Sequence, residues 1–180
     1  MRVVAGRFGG RRLIAPRGQA TRPTSDRVRE ALFALLGPLD GLDVLDLFAG
    51  SGALGIEALS RGARRTTFVD SAPVAIRAIS ANLAALGAEQ ASEVHRQDVR
   101  AFLRGARAAR HEYDLVLLDP PYRLAAELGR ELSPSLAEVL APGGRVVGES
   151  DRRVPLDLAL PLTDERRYGD TLIRIHERTE

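Results

Sequence analysis

Residues 42–55 read LDVLDLFAGSGALG, a short apolar run that ends in a glycine-rich turn. Leu42, Val44, Leu45 and Leu47 are interrupted only by Asp43 and Asp46. A run of that length bounded by glycine predicts a buried parallel strand at the centre of a sheet. The turn after it, Ala49-Gly50-Ser51-Gly52-Ala53-Leu54-Gly55, lets a ligand approach main-chain N–H groups that a Cβ would shield. Gly50, Gly52 and Gly55 satisfy G-x-G-x-x-G, a pattern shared by dinucleotide enzymes and other nucleoside binders. Asp46 tips the balance: beside the loop it would face pyrophosphate in a dehydrogenase, whereas it suits the ammonium and sulfonium of S-adenosylmethionine.

The 180 residues suit one domain able to bury a core without staples. With no cysteine, disulfides, thiolate metal sites and a cysteine nucleophile are excluded, and a cytosolic address is expected. No run approaches the ~18 apolar residues of a membrane span, and MRVVAGRFGG lacks the core of a signal peptide, so a soluble protein is expected. Charge is uneven. Residues 1–29 hold eight arginines against Asp26 alone, a net of +7, while the remainder holds 18 basic and 23 acidic residues, a net of −5. Such a concentration reads as a polyanion footprint, against the plainer reading of a solvated edge hairpin.

In chain order, residues 2–15 predict a hairpin with Arg on its exposed face, and the boundary between arm (1–20) and domain (21–180) falls near Ala20. Thr24 or Ser25 caps a helix carrying Val28, Ala31, Leu32, Leu35 and Leu36 on one stripe, flanked by Arg22, Arg27 and Arg29 at its start. A helix over 53–60 follows the glycine loop. A strand over 66–69 then ends in Asp70, where a Rossmann-like fold holds ribose hydroxyls. Residues 72–86 form a helix with Ile76, Ile79, Leu83 and Leu86 inward. A third strand over 91–96 leads to Asp98 and Val99, placed for an adenine amine and ring nitrogen, or equally for a helix N-cap. His95, His111 and His176 lack metal-ligand spacing, and no metal is expected. A helix over 132–140, a strand over 145–148 and a terminal hairpin over 162–168 and 171–176 complete the chain.

The fourth strand, 113–118, ends in Asp119-Pro120-Pro121-Tyr122. Two prolines end pairing, remove two N–H groups and stiffen the turn, so the Asp119 side chain and the Pro120 carbonyl are presented as acceptors beside the Tyr122 ring. That set matches a planar substrate carrying an exocyclic amine. Together DLFAGSG and DPPY resemble the class I S-adenosylmethionine-dependent methyltransferases. With TRPTSDRVREALF, LDVLDLFAGSGALGIEALSRGA and YGDT added, nearly the whole chain resembles the RsmD family of 16S ribosomal RNA guanine-N2 methyltransferases.

The resemblance implies an α/β Rossmann-like fold with a seven-stranded, mostly parallel sheet, one antiparallel strand and helices on both faces. It implies S-adenosylmethionine as methyl donor, bound by Asp46, Phe48, Ala49, Gly50, Ser51, Gly52, Asp70, Ser71, Asp98 and Val99. Asp119, Pro120 and Tyr122 would be catalytic. Arg7, Arg11, Arg12, Arg22, Thr24, Arg27, Pro121 and Tyr122 would meet RNA, within small-subunit rRNA or the assembled small subunit, and a monomer is expected. Adenine-N6 methylation of DNA or RNA is the nearer alternative, and an NAD(P)-dependent oxidoreductase the more distant one.

Overall fold

In a computed structural model that describes residues 1–16, 25–121 and 125–179, the central run becomes β1 (Asp43–Leu47) in the middle of a seven-stranded sheet. The remaining elements are α1 (Asp26–Leu36), α2 (Ala53–Ser60), β2 (Arg65–Asp70), α3 (Pro73–Leu86), β3 (Ser92–Arg96), α4 (Val99–Ala108), β4 (Tyr113–Leu118), α5 (Ala125–Val139), β5 (Leu140–Asp151), β6 (Leu162–Tyr168) and β7 (Thr171–Glu177). The strand order is β3-β2-β1-β4-β5-β7-β6. Strands β1 to β5 pair in parallel, and β7 runs against both β5 and β6. The expected single antiparallel strand is therefore β7.

Alternation along each strand sorts the core into two layers. Val44, Phe68, Leu115, Leu117, Val147, Ile173 and Ile175 face one layer with Leu32, Phe33, Leu36, Ile56 and Ile79 from α1, α2 and α3. Leu45, Leu47, Val69, Val116, Leu118 and Val146 face the other with Phe102 and Leu103 of α4 and Leu128, Leu132 and Leu136 of α5. Both faces of the sheet are covered, which is why its central strands are apolar almost throughout.

Several elements differ from the sequence reading. α5 starts at Ala125, not at residue 132, and passes through Pro134. Its buried stripe, Leu128, Leu132, Leu136 and Val139, keeps helical spacing across the proline, and Pro134 itself is exposed. β5 extends well beyond 145–148 on both sides, and the buried face of α3 is Ala75, Ala78, Ile79, Asn82 and Leu83, leaving Ile76 and Leu86 half-buried. Arg29, expected with Arg22 and Arg27 to flank the start of α1, is 1 % exposed, and its Nη2 donates to the Arg2 carbonyl (2.7 Å) and to Asp26 Oδ1 (2.6 Å).

Residues 1–16 pack into the domain. Val3 and Leu13 are buried in the α1–α3 layer, and the main chain pairs as Val3 N to Arg11 O, Gly10 N to Val3 O and Leu13 N to Met1 O. The buried Glu57 carboxylate of α2 accepts from Val4 N (2.7 Å) and Ala5 N (3.0 Å), and Ser60 Oγ accepts from Phe8 N. Helix α2 itself lies hard against the sheet at Gly55, where an added Cβ would meet Phe68 Cε1 at 2.4 Å, Thr66 Cγ2 at 2.8 Å and Asp46 Oδ2 at 2.9 Å. Gly55→Ala is expected to cost about 1–3 kcal/mol through overpacking, measured by urea unfolding; an unchanged midpoint would show that α2 shifts without penalty.

Candidate active site

The acidic side chains at the C-terminal ends of the strands meet on one face of the sheet. Val44 and Phe68 face the α1–α3 layer, so Asp46 and Asp70, each two residues on, face it too; Leu117 and Val147 do the same for Asp119 and Glu149. The register aligns Leu47 with Leu118 and Leu118 with Gly148, which brings the ends of β1, β4 and β5 side by side. Adjacent strands lie ~4.8 Å apart. Asp119 and the glycine loop therefore share one edge, on neighbouring strands.

The loop is held from below by these carboxylates. Asp46, 1 % exposed, accepts from Gly55 N through Oδ2 (2.9 Å). Asp70 accepts from Gly50 N through Oδ2 (2.9 Å) and from Ala72 N through Oδ1 (2.8 Å). Gly52 N donates to Ala49 O (2.7 Å), and Ala49 N to Val69 O. Phe48 has φ 58°, a left-handed conformation that a bulky side chain seldom adopts, at the point where the chain leaves β1. Gly50 follows at φ 57°, and its open side meets nothing nearer than Phe48 O at 3.9 Å.

Burial pushes the Asp46 carboxyl up to about 8, with the charge of Asp70 adding to it and the Gly55 N–H opposing. Asp119, half-buried at the end of β4, is raised well above the ordinary carboxylate range, first by desolvation and then by the charges of Glu149 and Asp46. Glu149, 3 % exposed, went unnoticed in the sequence, though its place after the apolar run of β5 mirrors that of Asp119 after β4. Pro120 is buried and Pro121 exposed, while Tyr122 lies outside the described residues.

The other expected positions divide. Asp98 caps α4, accepting from Arg100 N (2.9 Å) and Ala101 N (3.2 Å) through one oxygen; Val99 is buried behind it, and Ser71 is exposed beside Asp70. Of the expected RNA contacts, Arg22 and Thr24 lie outside the described residues, and Ser25 makes the cap bond of α1. Arg27 lines a cleft of about 370 Å³ with Arg167, Tyr168 and Gly169. Exposed Arg7 stacks on Phe8, with its N–H on Ser60 O at the far end of α2, and Arg11 Nη2 bonds Ala85 O near the end of α3. The eight residues of α2 span about 12 Å, so Arg7 and Arg11 sit toward the opposite end of the sheet from Asp119. Arg12 is exposed where it bridges to Arg2. A cleft of about 490 Å³ lined by Asp43, Arg64, Arg65 and His111 lies at the edge where the strands begin and holds none of the expected site residues.

The donor set fits a nucleoside with a cationic end. Asp70 keeps spare lone pairs for ribose hydroxyls, and the side chains under the loop are acidic acceptors, which suit a cationic end better than a pyrophosphate. This strand order, glycine loop and acidic strand end define the class I methyltransferase fold. A Salinibacter ruber RNA methyltransferase, solved with S-adenosyl-L-homocysteine, shares that fold at a TM-score of 0.69 and 22% identity, over 88% of this chain and 94% of that one.

The particular family follows from sequence. The family model described as Conserved hypothetical protein 95 matches residues 1–177. The chain is 37% identical to ribosomal RNA small subunit methyltransferase D of Haemophilus influenzae over 161 residues, covering 87% of this chain and 81% of that protein. It is 40% identical to the Escherichia coli protein of the same name over 124 residues, 68% of this chain and 61% of that one. A hypothetical protein of Thermus thermophilus superposes with a TM-score of 0.85 at 32% identity, over 98% and 99% of the two chains. The chain belongs to the RsmD family.

A carboxyl whose folded-state pKa is raised takes up its proton sooner in the folded state, so stability falls as pH rises from the unfolded value of 3.8 toward about 8. Asp119 adds in the same direction. Urea unfolding between about pH 5 and pH 8 is expected to show this decline, and Asp46→Asn to flatten it; a wild-type slope in the variant would contradict the assignment.

Proposed function

We propose that this protein transfers a methyl group from S-adenosylmethionine to the exocyclic N2 amine of a guanine in small-subunit ribosomal RNA. The observation that carries the reading is the juxtaposition of the Asp119-Pro120 corner with the glycine loop on adjacent strands, in a chain of the RsmD family. The substrate class rests on relatives named as small-subunit rRNA methyltransferases, and guanine N2 on the family resemblance. An assembled small subunit as target, a monomeric enzyme and a cytoplasmic location belong to the same proposal.

In this reading Asp70 would hold the ribose, the 50–52 turn the amino-acid end, and Asp98 with Val99 the adenine. When bound, S-adenosylmethionine supplies an electrophilic methyl on sulfur, whose departure leaves a neutral thioether. An aromatic amine is a poor nucleophile because its lone pair is delocalised into the ring. The Asp119 carboxyl and the Pro120 carbonyl would accept its two N–H groups and turn the lone pair out of the ring plane. As the N–C bond forms and the C–S bond breaks, the nitrogen becomes cationic and must lose one proton. Burial, with the charges of Glu149 and Asp46, raises the proton affinity of the Asp119 carboxylate, which suits it to receive that proton. Tyr122 would stack on a flipped guanine, worth roughly 1–3 kcal/mol. Orientation supplies most of the rest, up to about 7–11 kcal/mol.

RNA would cross the sheet edge near Arg27. Arg7, Arg11 and Arg12 of the 1–20 arm would then contribute attraction from further off, with residues 21–180 as the catalytic part.

Tritium transfer to small subunits, naked 16S rRNA and DNA, followed by nucleoside digestion, tests the assignment. N2-methylguanosine is expected, whereas N6-methyladenosine or labelled DNA would overturn it. Asp119→Asn is expected to lower kcat at least a hundredfold, to leave S-adenosylhomocysteine affinity within about twofold, and to flatten the rise of kcat with pH. Turnover at the wild-type rate would remove Asp119 from the chemistry.

A further inference from the structure

One buried side chain joins the N-terminal segment to the glycine loop. Asn82 of α3 is 2 % exposed. Its Oδ1 accepts from Ile14 N (2.7 Å), and its Nδ2 donates to Ile14 O (3.0 Å) and to Ser51 O (2.9 Å). The amide thus pairs with Ile14 as a neighbouring strand would, and spends its second N–H on the turn expected to touch the cofactor. Both donors and an acceptor are used, a set that among residues of this size only asparagine offers.

Ile14 is 59 % exposed, so this anchorage comes from the hydrogen bonds and not from burial of its side chain. The other strand of the segment reaches the same turn, where Ser51 Oγ donates to Met1 Sδ (3.2 Å). Further along, Glu57 and Ser60 clamp residues 4, 5 and 8 to α2. Both open-end residues of the hairpin, Met1 and Ile14, therefore converge on Ser51, which lies between the two glycines of the turn.

We infer that Asn82 is a positioning residue that makes the N-terminal segment a strap on the cofactor loop, so that seating of the strap and binding of the cofactor reinforce each other. The inference rests on the proposed S-adenosylmethionine site. Release of the strap leaves the Asn82 amide without its two Ile14 partners and free to turn away from the Ser51 carbonyl, so that the 50–52 turn relaxes, and cofactor bound against that turn stabilises the seated strap by the same factor.

Calorimetric titration of the full chain with S-adenosylhomocysteine tests this in two variants. Asn82→Asp keeps the acceptor but loses both donations, and Ile14→Pro removes the N–H on the strap side without touching the loop. Each is expected to raise the dissociation constant about fivefold. Wild-type affinity in Ile14→Pro would overturn the coupling, even if Asn82→Asp binds weakly, because Asn82 would then act on the loop alone. Amide exchange separates positioning from mere stability: saturating S-adenosylhomocysteine is expected to slow exchange at Val4, Ala5 and Ile14 in the wild type but not in Asn82→Asp. Unchanged exchange in the wild type would also overturn the inference. No binding by the wild type would instead remove the cofactor site itself.

Discussion

The site depends on carboxyl groups gathered where water is scarce. Asp46, Asp119 and Glu149 lie near the C-terminal ends of three adjacent strands on one face of the sheet, and Asp70 ends the next strand out. Like charges this close in a desolvated corner cannot all ionise freely, and the protein answers with main-chain N–H groups from the glycine loop. The loop is shaped by the acids as much as by its glycines. A cationic, hydroxyl-bearing ligand completes this arrangement electrostatically, and a polyphosphate does not.

Close approach makes the corner possible. At Gly55 the helix lies nearer to Phe68 and Thr66 than any side chain would permit, which brings an N–H onto Asp46. On the other side of the same helix, Gly6 adopts φ 78°, and a Cβ there would fall 1.9 Å from Ser60 O. Helix α2 is thus pressed between sheet and N-terminal segment, with the buried Glu57 collecting the segment's free N–H groups. The first sixteen residues belong to the packing around α2 and the glycine loop, and Arg7 and Arg11 lie toward the opposite end of the sheet from that loop.

Most of the architecture is legible in sequence because pattern and terminator agree. β4 and β6 fall on the expected boundaries, as does α2, each bounded by turn residues. The helix expected over 132–140 begins seven residues earlier, at Ala125, because the apolar stripe Leu128, Leu132, Leu136 and Val139 keeps helical spacing, and Pro134 is tolerated where it faces solvent. The acids of the site were visible as strand ends, but their functions were not. Asp98 takes the helix-cap role that the sequence offered, a local bond, whereas Asp46 spends an oxygen on Gly55 N, a relation set by how α2 packs on the sheet. Arg29, Glu57 and Asn82 stayed hidden because a polar residue on a helix reads as solvent-facing unless its partner, here a main chain some 25 to 70 residues away, is known.

A crystal structure with S-adenosylhomocysteine would show directly whether the glycine loop and the Asp119 corner serve one ligand. Ribose is expected on Asp70, the homocysteine chain along residues 50–52, and the sulfur facing the Asp119 carboxyl across a gap that one methyl and one amine nitrogen fill. A ligand bound away from the β1–β4 junction, or a sulfur turned from Asp119, would contradict this placement.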